Sequence, residues 1–540
     1  MVASDNFTMS LKEVKKICCI GAGYVGGPTC AVIAQHNPNI DVSVVDLSES
    51  RIAAWKSRAL PIYEPGLYEV VEVARDGTDG RTPNLHFSTD VTTAIDEADL
   101  IFIAVNTPTK TAGHGAGSAS DLAYVESAAR RIAEVSTSDK IIVEKSTVPC
   151  GTADSLRAIF DSLAPDVSFD ILSNPEFLAE GTAIRDLQNP DRILIGSLKD
   201  RRSRAAAEAL ARVYSWVPCE RVITINLWSS ELAKLAANCM LAQRISSINS
   251  LSAMCEATGA DIEELAYAVG LDKRIGSKML KASAGFGGSC FKKDVLSMVY
   301  IAESLHLPDC AQYWRQVTEM NESQKSRFAK RVTRALYNTL ARKRVAVLGF
   351  SYKKDTGDTR ESAAISIVGE LITEGAQVAI YDPQVSEDQI FLDLERSHAN
   401  ARQQVTVCAD AVSACNNASA VVVLTEWDEF KTDHIPASVV QQLHDPASRG
   451  QSIASSDSGI EMHESASPTE VKKPEPLLAE EQNALLGGNH TPRPKRVDWY
   501  QIASSMRRPR LVFDGRNVIE PEKLTALGFR VESIGKAGIC

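Results

Sequence analysis

The chain's 540 residues predict an α/β protein: two doubly wound parallel sheets joined by a long central helix and a helical middle domain. Three observations carry that prediction. Short apolar runs recur with helix-compatible stretches between them and a polar loop after each, as buried parallel strands require. From Ser229 the apolar period changes to steps of three and four, and apart from one glycine-rich loop it persists to about residue 341. At Arg344 the strand-and-helix alternation starts again. The expected divisions are residues 1–228, 229–341 and 342–540, with an insertion at about 432–496 inside the third.

A chain this long exceeds one hydrophobic core and, at about 150 residues per domain, suggests about three units. Its 44% apolar and 24% charged residues fit a soluble globular protein. The formal net charge of −11 weighs against nucleic acid or an anionic membrane as partner, so any cationic pocket must be local. No run approaches the roughly 18 apolar residues of a membrane span, and the opening MVASDNFTMSLKEVKK lacks a signal peptide's apolar segment. The expected address is cytoplasmic. Twelve cysteines stand without CxxC pairs or zinc-type Cys/His clusters, so reduced thiols and no metal are expected.

Residues 14–20 form the first apolar run and lead into Gly21-Ala22-Gly23-Tyr24-Val25-Gly26, after which GPTCAVIAQH is helix-compatible. This is a dinucleotide fingerprint in its proper setting: the first glycine makes the turn, the second admits a pyrophosphate, and the third lets helix and strand pack closely. A second run, residues 42–45, ends at Asp46, about 20 residues after Gly26, where an acid binds a ribose 2′-hydroxyl and favours NAD over NADP. Three further runs end in polar loops: Val105 in Asn106-Thr107-Pro108-Thr109, Glu144 in Lys145-Ser146-Thr147, and Ser173 in Asn174-Pro175-Glu176-Phe177-Leu178-Ala179-Glu180. Ligands gather at such strand ends, although plain turn chemistry accounts for any one of these loops taken singly.

In the helical stretch, Glu231, Lys234 and Asn238 recur at steps of three and four. One face therefore carries a polar strip, directed into a site or simply solvated. The glycine-rich loop KASAGFGGSCFKKD then holds one cysteine, Cys290. Gly285, Gly287 and Gly288 are expected to take positive φ and let the backbone approach a bulky ligand, and Asp294 falls one turn after Cys290 if FKKD opens a helix. A thiol displayed this way reads as a nucleophile; a buried, inert thiol is the other reading.

The second α/β half runs through a strand at residues 345–348, a loop with Tyr352 and Lys353, a helix at 363–373 and strands at 378–381, 421–424 and 511–513. Arg516 follows the last of these. This half lacks GxGxxG and so is assigned the other ligand. Within 432–496, Ser, Pro, Glu, Gln and Asn dominate, the composition of a mostly disordered insertion.

GAGYVGGPTC, LPIYEPGL, VNTPTKT, EKSTVP, SNPEFLAEGTAI, WSSELAKLAANCMLAQRISSINS, GFGGSCFKKD, SYKKDTGDTRES and TEWDEF occur in that order. Together they resemble the UDP-glucose 6-dehydrogenases of the UDP-glucose/GDP-mannose dehydrogenase family over nearly the whole chain. The departures are the insertion, Tyr352 where the animal pattern has Phe, and a C-terminus that stops soon after Lys536. The resemblance implies two Rossmann-like halves and the oxidation of UDP-glucose to UDP-glucuronate, a four-electron reaction that uses two NAD per sugar. It implies that Cys290 captures the C6 aldehyde as a thiohemiacetal that becomes a thioester. Glu176 would activate water, Thr147 and Asp294 would position water or move protons, and Lys234 with Asn238 would stabilise the oxyanion. Implied cofactor contacts are Gly21, Ala22, Gly23, Tyr24, Val25, Gly26, Asp46, Arg51, Val105, Asn106, Thr107, Pro108, Thr109, Ser146, Thr147, Glu180 and Arg360. Implied substrate contacts are Glu176, Phe177, Leu178, Ala179, Glu180, Lys234, Asn238, Arg274, Lys281, Ala282, Ser283, Gly285, Phe286, Gly287, Tyr352, Lys353 and Arg516. In the family Arg274 reaches across a subunit interface, which implies a homo-oligomer with the dimer as minimum unit, and eukaryotic members commonly form hexamers. Two rival functions stay open at this point. One is a dehydrogenase of UDP-N-acetylmannosamine or GDP-mannose; the other is a non-catalytic NAD and nucleotide-sugar sensor, which would have no need of a nucleophile.

Overall fold

The computed structural model describes residues 13–436 and 496–537; most of the insertion expected at 432–496 lies outside them. The first sheet has eight strands: β1 Lys16–Ile20, β2 Asp41–Val45, β3 Leu85–Ser88, β4 Leu100–Ile103, β5 Lys140–Glu144, β6 Phe169–Ser173, β7 Ile193–Ser197 and β8 Val222–Asn226. Their spatial order is β3-β2-β1-β4-β5-β6-β7-β8, parallel throughout except where β6 meets β7. The second has six, all parallel: β9 Arg344–Leu348, β10 Gln377–Tyr381, β11 Val405–Val407, β12 Ala420–Val423, β13 Arg510–Asp514 and β14 Phe529–Ser533, in the order β11-β10-β9-β12-β13-β14. Runs such as LIFI in β4 and AVVV in β12 are buried on both faces, which is why they read as continuous apolar stretches and not as alternating ones. In both sheets the chain winds outward in opposite directions from one pair, β1 and β4 or β9 and β12. The carboxyl end of each pair is the switch point at which sheets of this kind bind ligands.

Helix Leu227–Thr258 joins the halves. Asn226 caps it by accepting from Trp228 N at 3.1 Å and Ser229 N at 3.3 Å, and Gly259 ends it in the left-handed conformation. Its 32 residues span about 48 Å. Helices Phe291–Ser304 and Pro308–Ala335 pack on it and on each other. A small core of Cys239, Ala242, Phe286, Val295 and Val317 fixes that packing around the cysteine loop. Farther along, Ile248, Cys255, Phe328 and Val332 enter the core of the second sheet. The long helix thus packs on the first sheet at its start and enters the second core farther along, and does not act as a free spacer. No described helix is long and apolar enough to cross a membrane.

Candidate active site

At the end of β1, Gly21 takes φ +111° and donates its N–H to Val45 O at 2.8 Å. A Cβ there would stand 2.4 Å from Ala104 O, and one on Gly26 2.0 Å from Gly21 O, so both positions require glycine. At Gly23 nothing lies within 4 Å of an added Cβ, which leaves room for a pyrophosphate at the start of helix Gly26–His36. Asp46, after β2, accepts from Ala22 N at 3.0 Å, Ser48 N at 2.9 Å and Arg51 Nη1 at 2.9 Å. Burial pushes its carboxyl up, but these donors outweigh burial and hold it below its ordinary value. An open glycine turn with an ionised acid at the second strand fits NAD, whose ribose hydroxyls need an acceptor there. The loops after β4 and β5 form one wall of the crevice. Ser146 Oγ donates to Val105 O at 2.7 Å and Thr107 Oγ1 to Thr147 O at 2.8 Å, while Pro108 O accepts from Asp121 N at 2.7 Å.

Lys234 and Asn238 lie one turn apart on the long helix and are both buried. The Lys234 ammonium is 3.0 Å from Glu176 Oε2 and 5.6 Å from the Phe177 ring centroid. Burial alone would lower the Lys234 pKa, yet the carboxylates of Glu176 and Asp294 raise it, so the amine stays charged. Asn238 Nδ2 donates to Asp294 Oδ2 at 2.6 Å, and Lys293 Nζ lies 2.8 Å from the other Asp294 oxygen. Asp294 N donates to Cys290 O at 2.9 Å at the start of helix Phe291–Ser304, which gives the expected one-turn spacing. Burial raises the Cys290 thiol pKa; Lys234 pulls it back, and Asp294 and Glu176 push it up again. The resting sulfur is therefore a thiol beside a fixed cation. Ser289 Oγ lies 3.5 Å from the sulfur.

The cysteine loop is held from three sides. Ser283 N donates to Asn249 Oδ1 at 2.8 Å and Phe286 N to Asn321 Oδ1 at 2.8 Å, while Ala284 N donates to Gly515 O at 2.7 Å. Ala282 is buried with them, whereas Lys281 is exposed. Gly285 and Gly288 have the expected positive φ, +136° and +89°, but Gly287 does not. Gly287 is needed because a Cβ would meet Glu361 O at 2.5 Å, and one on Gly288 would meet the Tyr352 ring at 2.9 Å. The space these glycines leave is filled by the second half of the same chain.

That half brings Tyr352, Lys353 and Arg516 to the loop. Lys353 Nζ is 5.5 Å from the Tyr352 ring centroid, and Arg516 bonds to Tyr352 O and, at 2.8 Å, to Leu424 O. Glu180 crosses the join through Arg360 Nη2 at 3.1 Å. Burial and the adjacent Asp358 carboxylate push Glu180 up to about 7. Leu178 is half-buried and Ala179 exposed beside it. Arg274 is not brought to this cluster by any described contact: its side chain is 89% exposed and bonded to Asp272 at 2.6 Å.

Several residues support the site in ways that no local pattern assigned to them. Glu64, in LPIYEPGL, accepts from Gly181 N and, at 3.0 Å, from Ala183 N, and so clamps the loop after Glu180 from more than a hundred residues away. Lys145 is wholly buried beneath Glu176's loop, with Nζ 3.0 Å from Asn174 Oδ1 and 3.3 Å from Tyr214 OH. Burial lowers its pKa to about 8. Asn249 and Asn321 read as helix residues in sequence, yet they shape the cysteine loop.

Comparison with known proteins matches the chain to three parts of the UDP-glucose/GDP-mannose dehydrogenase family: the NAD binding domain over residues 15–217, the central domain over 228–323 and the UDP binding domain over 346–449. The chain is 50% identical to a UDP-glucose 6-dehydrogenase of Pongo abelii over 532 residues, 97% of this chain and 94% of that protein. It is 51% identical to UDP-glucose 6-dehydrogenase 3 of Oryza sativa subsp. japonica over 535 residues, 96% of this chain and 97% of that one. The solved UDP-glucose dehydrogenase of Pyrobaculum islandicum superimposes with a TM-score of 0.72 at 29% identity, covering 97% of this chain and 98% of the other.

Proposed function

This chain belongs to the UDP-glucose/GDP-mannose dehydrogenase family, and we propose from its site that it oxidises UDP-glucose to UDP-glucuronate with NAD, through covalent capture on Cys290. The observation that carries this reading is the gathering of Cys290, the Lys234–Glu176 pair and the Asn238–Asp294 pair where the two halves meet. Gly21 to Gly26, Asp46 and Arg51 would hold NAD, with Val105 to Thr109, Ser146, Thr147, Glu180 and Arg360 around it. The nucleotide sugar would lie between Glu176–Glu180, the cysteine loop and Tyr352, Lys353 and Arg516. NAD supplies a hydride acceptor, one molecule for each of the two oxidations.

In the first oxidation the C6 hydroxyl proton leaves by way of Asp294 or a water held by Thr147. Cys290 then adds its sulfur to the aldehyde carbon, and the thiol proton ends on the former carbonyl oxygen. The product is a thiohemiacetal. Lys234 and Asn238 face the charge that builds on that oxygen; their geometry is fixed by Glu176 and Asp294, so little reorganisation is needed. When the second hydride has left the same carbon and the hydroxyl proton has left by the same Asp294 or Thr147-held water route, the group on Cys290 is a thioester. Glu176 deprotonates water, the hydroxyl attacks the thioester carbon, the C–S bond breaks, and Cys290 regains its proton. Capture on sulfur also explains how the aldehyde is kept from solvent between the two oxidations.

The test is to incubate the protein with NAD and UDP-glucose, or with other nucleotide sugars, and count NADH per sugar consumed. Two per UDP-glucose is the expected result. One would indicate simple alcohol oxidation, and none a binding protein. We also assign the protein to the cytoplasm and to a homo-oligomer, a dimer at least and a hexamer by family habit. The exposed Arg274, bonded only to Asp272 among the described residues, supports that assembly. Sedimentation of wild type and Arg274→Ala, with sugar affinity measured in parallel, tests it.

A further inference from the structure

Of the three polar residues that the long helix carries at steps of three and four, Lys234 and Asn238 have been placed in the chemistry. Glu231 has not, although it is only 2% exposed. Its carboxylate turns to the start of helix Thr152–Leu163: Oε2 accepts from Gly151 N at 2.7 Å and Oε1 from Ala153 N at 2.9 Å. These amides follow closely on Thr147 in the chain. On the other side of Thr147, the last residue of β5, Glu144, is also 2% exposed and is the neighbour of Glu231. Apart from the facing Glu231 carboxyl, no donor reaches either Glu144 oxygen. Two buried carboxyls that face each other ionise together only at high cost, so one shared proton can satisfy both. The other titratable groups that face the pair are Asp154, which accepts from Trp228 Nε1 at 2.8 Å, and Cys150, whose thiol donates to Trp228 O at 3.6 Å. Neither is a cation that would let both carboxyls ionise.

We propose that Glu231 is a positioning residue for Thr147: it pins the turn after Thr147 to the helix that carries Lys234 and Asn238, and the proton shared with Glu144 keeps the pin closed. Burial and then the facing Glu231 carboxyl push Glu144 well above the usual carboxylate range, and burial raises Glu231 against the pull of its two amides. Both shifts favour retention of a proton on the pair. As pH rises through the titration of the pair the proton leaves, two charges face each other, and the pin opens. Turnover then falls on the alkaline side. The inference rests on the reading of Thr147 as the group that holds water or moves a proton.

The test uses the full chain with NAD and UDP-glucose. Turnover is followed from about pH 6 to about pH 10 for wild type, Glu144→Gln, Glu231→Gln and Thr147→Ala, with hydrogen exchange of the amides at 151–153. Glu144→Gln keeps a donor for Glu231 and cannot lose it. It should match wild type near neutrality and sustain turnover at least about one pH unit further. Glu231→Gln sets an amide donor against the backbone amides, so kcat should fall about tenfold or more, with KM for UDP-glucose little changed and faster exchange at Gly151 and Ala153. A Glu144→Gln profile that overlays the wild type's, or a Glu231→Gln kcat within about twofold of wild type, overturns the proposal. Thr147→Ala at wild-type turnover removes the reading of Thr147 and the pin together; impairment of Thr147→Ala with an unimpaired Glu231→Gln removes the pin alone. If Glu231→Gln does not fold, the Glu144→Gln profile decides the matter.

Discussion

Asp46 follows β2 and Asp382 follows β10, at matching positions in two sheets with the same inner strand order. The turns before them match as well: Gly21 N donates to Val45 O and Gly349 N to Tyr381 O, each at 2.8 Å and each with positive φ. The acids then part company. Asp46 accepts three hydrogen bonds, beside a glycine turn with open space above it. Asp382 is saturated: Phe350 N, Ser351 N, Ser351 Oγ and Trp427 Nε1 take one oxygen, and Gln384 N and Val385 N the other. The same fold position thus leaves an acid beside an open turn in one half and makes a brace for the Tyr352–Lys353 loop in the other. What separates them is how many acceptor lone pairs the protein itself consumes.

The largest effect should come where the halves agree. Gly21→Ala places its Cβ 2.4 Å from Ala104 O and Gly349→Ala 2.4 Å from the Thr425 side chain, both at positive φ. Each should lower unfolding stability by about 3 kcal/mol, read by denaturant titration. If either is tolerated, the correspondence of the two turns fails. Asp382→Asn comes next, because an amide cannot accept on both atoms; about 2 kcal/mol of stability and most sugar affinity should go, with NAD binding retained. Asp46→Asn should have the smallest effect on stability. It should raise KM for NAD about tenfold and narrow the preference over NADP. Because Asp46 is held below its ordinary pKa, whatever stability it adds is present above the unfolded value of about 3.9 and is lost as pH falls through the folded value. The mutant and wild-type melting curves should therefore converge in acid. Should Asp46→Asn cost more stability than Asp382→Asn, the contrast between the two acids is reversed.

What sequence could show follows the same division. The turn at Gly21, the acid at Asp46, the helix at residues 363–373 and the one-turn step from Cys290 to Asp294 are local patterns, and they stand in the structure as read. The edge strands β3 and β8 were not legible, since LHFS alternates over only four residues and VITIN is nowhere fully buried. β7, ILIGS, is wholly buried but lies antiparallel to β6, outside the repeating parallel pattern. After the insertion the sequence suggested one terminal strand; β13 and β14 are both present. Glu64 and Asn321 were hidden because each acts on a loop far away in the chain, whereas Lys145 stood in a strand-end loop already marked and only its burial against Asn174 was not legible. Gly287 was misread for a related reason: its close neighbour is the backbone of Glu361 and not a ligand.

The central claim is that the substrate becomes a thioester on Cys290, and that Glu176, held 3.0 Å from Lys234, is the base that releases it. Glu176→Gln keeps the size and hydrogen bonding of the side chain and removes the base. Given NAD and UDP-glucose, the Glu176→Gln protein should release a burst of up to two NADH per site and stall, and mass spectrometry of the quenched, digested protein should find a UDP-glucuronyl adduct on the peptide carrying Cys290. Binding of UDP-glucose with neither burst nor adduct would contradict the account and move Glu176 to an earlier step.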